Sequence, residues 1–265
     1  MNLTDGVSAV VGWVAEWSKA PVLKTGVRLR VPWVRIPLHP LLFRWYPFLQ
    51  DGVAVGHVIE IQHPLIEHHL CTVREKSTLP SHFRAAVNRL SVLVGVYATD
   101  DLAVEPVSVQ TPLAPADCHQ VTQQIALVPI LRAGLGMVDP LLNLLPDAAV
   151  WHLGLYRNEE TAEPVEYYDK LPKSGAPNTA LVLDPMLATG GSIELAVRRL
   201  MEWGVEEIRV LSIIASRDGV ERVQRDFPKV KLYVAAIDPV LNEQSYIVPG
   251  LGDAGDRIFD TPQPG

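Results

Sequence analysis

The sequence predicts an α/β fold: a mostly parallel central sheet flanked by helices, with a protruding β-hairpin flap. Three observations predict it. Short β-rich runs alternate with helical patterns from residue 125 to residue 237, as they do where parallel strands are joined by helical crossovers. The runs are nearly continuous in apolar residues, as strands buried on both faces are. Third, Asp184-Pro185-Met186-Leu187-Ala188-Thr189-Gly190-Gly191-Ser192 sets an acidic residue and a small-residue loop between one such run and a helix start. α/β proteins build phosphate cradles in this way.

Residues 1–56 stand apart from this pattern. They hold four of the six tryptophans (Trp13, Trp17, Trp33 and Trp45) and five prolines, with no sustained helix or strand period between them. Two readings compete. One is a basic-aromatic arm that touches RNA, membrane or a partner subunit. The other, which the composition favours, is a poorly ordered extension or upstream sequence translated from an early-assigned start, with Val53 or Val55 as alternative starts. The expected division is therefore 1–56 as an extension and 57–265 as the folded body.

Within the body, residues 64–75 and 81–97 have helical spacing, with Phe83, Val87, Leu90, Leu93 and Val94 recurring at three- and four-residue steps. Pro106 to Pro115 reads as a polar, proline-bearing connection. Strands are expected at 125–131, 149–156, 179–183, 208–215 and 232–237, and helices at 135–145, 193–203 and 220–227. In the helix after the cradle, Ile193, Val197, Leu200 and Met201 share one face. Ser192 is expected to cap its start and Gly204 to end it.

Composition narrows the function. The chain has 265 residues, 48% of them hydrophobic, enough for one large core. Its two cysteines form neither a disulfide framework nor a CxxC pair, which points to a reducing, cytoplasmic setting. No apolar run reaches membrane-spanning length, and no basic region precedes an apolar stretch at the N-terminus. Net charge is −7; residues 1–56 carry six basic and three acidic side chains, so the body holds about −10. An acidic body argues against nucleic-acid binding, although a few local arginines can still dominate a cleft for an anionic small molecule.

Four segments carry chemistry. In the cradle, Thr189 and Ser192 offer hydroxyls and Gly190 and Gly191 allow close backbone approach; Asp184 lies where it can reach a sugar attached to the phosphate. The loop is neither a Walker A sequence nor GxGxxG. A second strand runs into Arg132-Ala133-Gly134-Leu135-Gly136, where one arginine can pair with a polyanion. The third, Tyr156-Arg157-Asn158-Glu159-Glu160-Thr161, reads as the flap, with Arg157 able to close over an anion. The fourth, Tyr246 to Asp256, is a Gly-Asp loop whose backbone can face a flat heterocycle. Each has a plain alternative: a tight turn, a surface arginine, a solvated loop. The histidines His63, His68 and His69 spread around a helix and read as surface or capping residues rather than zinc ligands.

Taken together, VPILRAGLGM, YRNEET, DPMLATGGS and PGLGDAGDRIF resemble the uracil phosphoribosyltransferases, in that family's order and spacing, over roughly residues 57–261. The resemblance implies the phosphoribosyltransferase fold for 57–265 and transfer of a phosphoribosyl group from 5-phospho-α-D-ribose 1-diphosphate (PRPP) to uracil, giving UMP and pyrophosphate in pyrimidine salvage. It implies Mg²⁺ bound through PRPP rather than by direct protein ligands. It assigns PRPP to Arg132, Arg157, Asp184, Pro185, Met186, Leu187, Ala188, Thr189, Gly190, Gly191, Ser192 and Asp253, and uracil to Ile247, Gly252, Asp253 and Ala254. Asp184, Arg132 and Asp253 carry the catalytic roles. Pro185 leaves one carboxylate where many relatives of the wider fold place two adjacent acids, a pattern the uracil branch shares. A homo-oligomer (dimer or tetramer) and a GTP effector are implied too. Two alternatives stay open: a regulator that binds nucleic acid through the basic arm, and a transferase for another base or a 5-substituted uracil.

Overall fold

The computed structural model describes residues 49–50, 53–54, 57–157, 164–169 and 174–261. Chain contacts separate residues 1–41 from 42–265; the fold described is that of the second unit. The expectations for residues 1–56 fall almost wholly outside the described residues; within that stretch, Leu49–Gln50 pairs antiparallel with Val53–Ala54.

The strands are β1 (His57–Glu60), β2 (Val104–Gln110), β3 (Pro115–Val121), β4 (Ile125–Leu131), β5 (Ala149–Val150), β6 (Leu153–Arg157), β7 (Pro164–Asp169), β8 (Thr179–Leu183), β9 (Met186–Leu187), β10 (Glu207–Ser216), β11 (Lys231–Asp238), β12 (Val240–Leu241) and β13 (Ile247–Val248). The helices are α1 (Pro64–Arg74), α2 (Pro80–Tyr97), α3 (Val138–Leu144), α4 (Gly191–Trp203), α5 (Arg217–Asp226) and α6 (Ala254–Phe259). The nine-stranded main sheet runs β1-β11-β10-β8-β4-β6-β7, with β5 beside β4 and β9 beside β10. Its pairings are parallel except β6 with β7.

Strand alternation explains the two-faced core. In β8, every residue is buried. Leu181 and Leu183 join Leu127, Leu211 and Tyr233 against α1, α2 and α3. Ala180 and Val182 point to the opposite face and join Val128, Val210 and Val234 against α4 and α5. A period of two on a strand with both faces covered leaves no position for a polar residue, which is why the runs read as uniformly apolar.

Strand order reverses beside β4. The chain leaves β4 for β6 on one side and returns to β8 on the other. The carboxyl ends of β4 and β8 therefore mark the candidate crevice, the place where open α/β sheets bind ligands.

The structure corrects several expectations. Pro106 to Pro115 is not a plain connection: β2 and β3 form an antiparallel ribbon off the main sheet. A two-stranded ribbon consists only of edges, so prolines cost it few ladder bonds, and they hide its strand pattern. The helix expected at 135–145 opens as a 3-10 turn, Ala133–Met137, before α3. The strand expected at 149–156 splits into β5 and β6. The edge strand β1 has no sequence signal comparable to the central strands.

Candidate active site

The cradle follows β8 directly. The Asp184 N–H donates to Leu211 O at 3.2 Å, and the N–H groups of Ile213 and Ile214 both donate to Pro185 O. β9 then pairs with Ile214 and Ala215 of β10. The first half of the loop is thus fixed by backbone bonds. Leu187 is buried in the core with α4, so its side chain serves packing and only its backbone can reach a ligand. The turn into the helix needs Gly190, which sits at φ +83 as the N-cap of α4, a conformation costly to any residue with a Cβ. Ser192 does not cap, contrary to expectation: the helix starts two residues earlier than expected, at Gly191, with no side-chain cap bond. No side chain caps the first-turn N–H groups, and a helix start of this kind can receive an anion. Gly204 ends the helix, as expected, at φ +100. Behind the loop, the Ser216 hydroxyl donates to Ala188 O and accepts from the Gly219 N–H. The N-terminus of α5 thereby braces the cradle, a contact with no local sequence signature.

Arg132 follows β4, across a cis Leu131–Arg132 peptide. The turn after it lies on the end of β8: a Cβ on Gly134 would stand 2.3 Å from Leu183 O. This close approach leaves no room for a Cβ without a shift of the backbone. Arg132 projects from that turn, and its Nη2 meets Asp256 Oδ1 at 3.1 Å. The arginine side chain is 57% exposed while Asp256 is 10% exposed, so the guanidinium faces the crevice from an anchored partner. Thr261 donates its hydroxyl to the same Asp256 oxygen at 2.6 Å.

The Gly-Asp loop completes the site. β12 and β13 pair antiparallel, and a cis Val248–Pro249 bond leads into Gly250. Ile247 and Leu251 are buried, Gly252 is exposed and Asp253 is half-buried. Asp253 caps α6, accepting the Asp256 N–H at 2.8 Å. Ala254 is fully buried at the start of that helix. Two arginines hold the loop, Arg74 from a distant helix and Arg257 from α6 just after it. Arg74 pairs with Asp238 in bidentate fashion at 2.7 and 2.8 Å and also donates to Gly250 O. Arg257 donates to Leu251 O at 2.7 Å, to Val73 O and to Glu75 O, with its guanidinium 4.2 Å above the Phe83 ring.

Electrostatics tie the three loops together. Burial at the cleft floor pushes the Asp184 carboxyl up to about 7; the Met186 N–H opposes the shift and the negative Asp253 adds to it. Two carboxylates that sense each other at the end of a buried strand favour a cationic or hydroxyl-rich group between them. Across the same opening, Arg132 Nη2 lies 3.7 Å from the point where a Gly255 Cβ would stand, with Asp253 Oδ1 3.2 Å from that point. Asp184, Arg132 and Asp253 therefore converge. The backbone of Arg157 ends β6, but its side chain, and residues 158–163 of the expected flap, lie outside the described residues. The antiparallel pairing of β6 with β7 is observed.

His63 caps α1, its Nδ1 accepting the Leu65 N–H at 3.1 Å. Among the described residues, no three of His, Cys, Asp or Glu group so as to hold a metal ion. No described helix is long and apolar enough to cross a membrane.

The uracil phosphoribosyltransferase family model matches residues 60–261. Among similar proteins, the uracil phosphoribosyltransferase of Roseiflexus castenholzii is 52% identical over 200 residues, covering 76% of this chain and 96% of its own. That of a Roseiflexus species is 51% identical over 207 residues, 78% of this chain and all of the relative. A solved structure of a protein from Aquifex aeolicus superposes with a TM-score of 0.73 at 36% identity, over 76% of this chain and 97% of that one.

Proposed function

This chain belongs to the uracil phosphoribosyltransferase family, and from that premise we propose that its crevice transfers the phosphoribosyl group of PRPP to uracil, releasing pyrophosphate and forming UMP. The observation that carries the reading is the convergence of Arg132, Asp184 and Asp253 where strand order reverses.

Each residue has a role set by its place. The first-turn N–H groups of α4, with Ala188 to Ser192, receive the 5-phosphate. Asp184 receives the ribose hydroxyls. Arg132 faces the diphosphate, joined by Arg157 from β6. Ile247 and the backbone of Gly252, Asp253 and Ala254 receive uracil, and Asp253 also borders PRPP. Breaking the bond from C1′ to the diphosphate oxygen leaves positive charge on the ribose and added negative charge on the leaving group. Asp184 stabilises the first and Arg132 and Arg157 the second. The uracil nitrogen then bonds to C1′ from the opposite face, inverting the α anomer to β, while its N–H proton is given up to the departing diphosphate or to solvent. No covalent enzyme intermediate is needed; positioning and exclusion of water supply the rate.

The residues present fit a Mg²⁺ carried by the substrate: the Asp184 and Asp253 carboxylates, which sense each other at the site, are hard oxygen groups that favour a cation between them. When bound there it supplies neutralising charge to the leaving group. We assign water exclusion to the flap expected at 156–170; its removal should raise PRPP hydrolysis relative to transfer. A homo-oligomer is part of the proposal, supported by the ribbon β2–β3, which is mostly exposed and off the main sheet although an isolated ribbon is marginal in water. A cytoplasmic location is supported by two free cysteines, and a GTP effector rests on the resemblance alone.

The test is UMP formation by the purified full chain given labelled uracil, PRPP and Mg²⁺. Labelled UMP is expected. Folded protein that forms none, with and without GTP, would overturn the reading.

A further inference from the structure

The loop assigned to uracil has one feature that its own sequence does not contain: both backbone groups of Gly250 are held by a single ion pair. Asp238, at the end of β11, is 7% exposed through its side chain; Arg74, at the end of α1, is 26% exposed. Asp238 Oδ2 accepts the Gly250 N–H at 2.9 Å and an Arg74 Nη1–H at 2.8 Å, while the same Nη1 donates to Gly250 O at 2.9 Å. Nη2 closes the pair on Asp238 Oδ1 at 2.7 Å. The ring leaves Gly250 no unpaired backbone group.

Gly250 lies two residues before Gly252 and sits at φ +62, where a Cβ would stand 2.0 Å from Ile247 O. The turn therefore places Ile247 and Gly252–Ala254 relative to each other, and a shift at Gly250 moves both sides of a flat ligand bound between them. Arg257 holds the next residue, Leu251, by its carbonyl.

We propose that Arg74 and Asp238 are positioning residues for the base: their partly buried pair fixes Gly250 so that the backbone from Ile247 to Ala254 reads one edge of the pyrimidine. This rests on the assignment of uracil to that loop. The pair touches neither the cradle nor Arg132 among the described contacts, and Asp253, the one residue of the loop that also borders PRPP, is tied separately by the Asp256 N–H, so the pair's influence falls mainly on the base. Charge-assisted bidentate geometry suits this use, because lysine cannot reproduce the fork.

The test compares Arg74→Lys and Asp238→Asn with wild type, varying uracil and PRPP separately and adding cytosine as a competing base. KM for uracil should rise about tenfold, the scale of a loosened supporting contact, and KM for PRPP should move less than about twofold. Discrimination between uracil and cytosine should narrow in both variants. Parallel rises in both KM values, or none in either, would overturn the inference while leaving the transferase reading intact. Wild type that makes no UMP would remove both. Asp238→Asn keeps an oxygen acceptor for the Gly250 N–H, so it decides the question if Arg74→Lys does not fold.

Discussion

Asp184→Asn should make the ligand-free protein more stable and the enzyme far slower. The wild-type carboxyl rises from its ordinary 3.8 to about 7, chiefly through burial. A carboxyl whose folded value is raised favours the folded state while it is protonated. That advantage is complete below about pH 3.8 and is lost as pH rises through about 7. Roughly three units at 1.36 kcal/mol each give a ceiling of about 4 kcal/mol, of which about 2 kcal/mol falls between pH 5.5 and 8.5. Asparagine has nothing to ionise. The variant's gain over wild type in urea midpoint should therefore be larger at pH 8.5 than at 5.5, by about 1 M at an m-value near 2 kcal/mol/M. UMP formation should meanwhile fall at least about tenfold, the loss expected for one charged contact made in the transition state. Equal gains at the two pH values would refute the enclosure of Asp184, and an unchanged rate would remove it from the mechanism.

Other expectations follow from the same geometry. In wild type, kcat/KM for PRPP should rise with pH and level off above about 7, as Asp184 ionises; rate profiles of wild type and Asp184→Asn check this, the step being absent in the variant. Arg132→Ala should lower kcat/KM for PRPP by about a hundredfold or more, with Arg132→Lys recovering only part of it, read by steady-state kinetics at varied PRPP. Gly134→Ala should cost about 1–3 kcal/mol, since its Cβ would strike Leu183 O, measured by urea unfolding. Arg209 is buried at the opposite end of β10 from the cradle and pairs with Asp101 and Glu207. Arg209→Ala should cost about 3–5 kcal/mol, while UMP formation per folded molecule stays unchanged.

The elements of the candidate site were more legible in the sequence than its supports. β4 and β8 match their expected spans because runs buried on both faces have no competing period. The places of Asp184, Arg132 and Asp253 in the fold were legible because each sits at a strand end or helix start within a local motif; their chemical roles belong to the proposal. The ribbon β2–β3 was not, because Pro106 and Pro115 suppress the strand signal without preventing edge pairing. Ser192 looked like a cap from its hydroxyl alone, whereas the positive φ of Gly190 decided where α4 begins. The supports of the base loop were beyond local reading: Arg74 and Asp238 are 164 residues apart, and no period or motif links them. Asp256 likewise reads as a spare acid until Arg132 is placed against it.

The most direct test of the central claim, that three loops at the sheet's switch point form one site, is a crystal structure of this protein with UMP. The account predicts the phosphate against the backbone N–H groups at the start of α4, the ribose hydroxyls on Asp184, and the pyrimidine edge along Ile247 and Gly252 to Ala254. UMP bound elsewhere, or bound here with its base turned away from that loop, would contradict it.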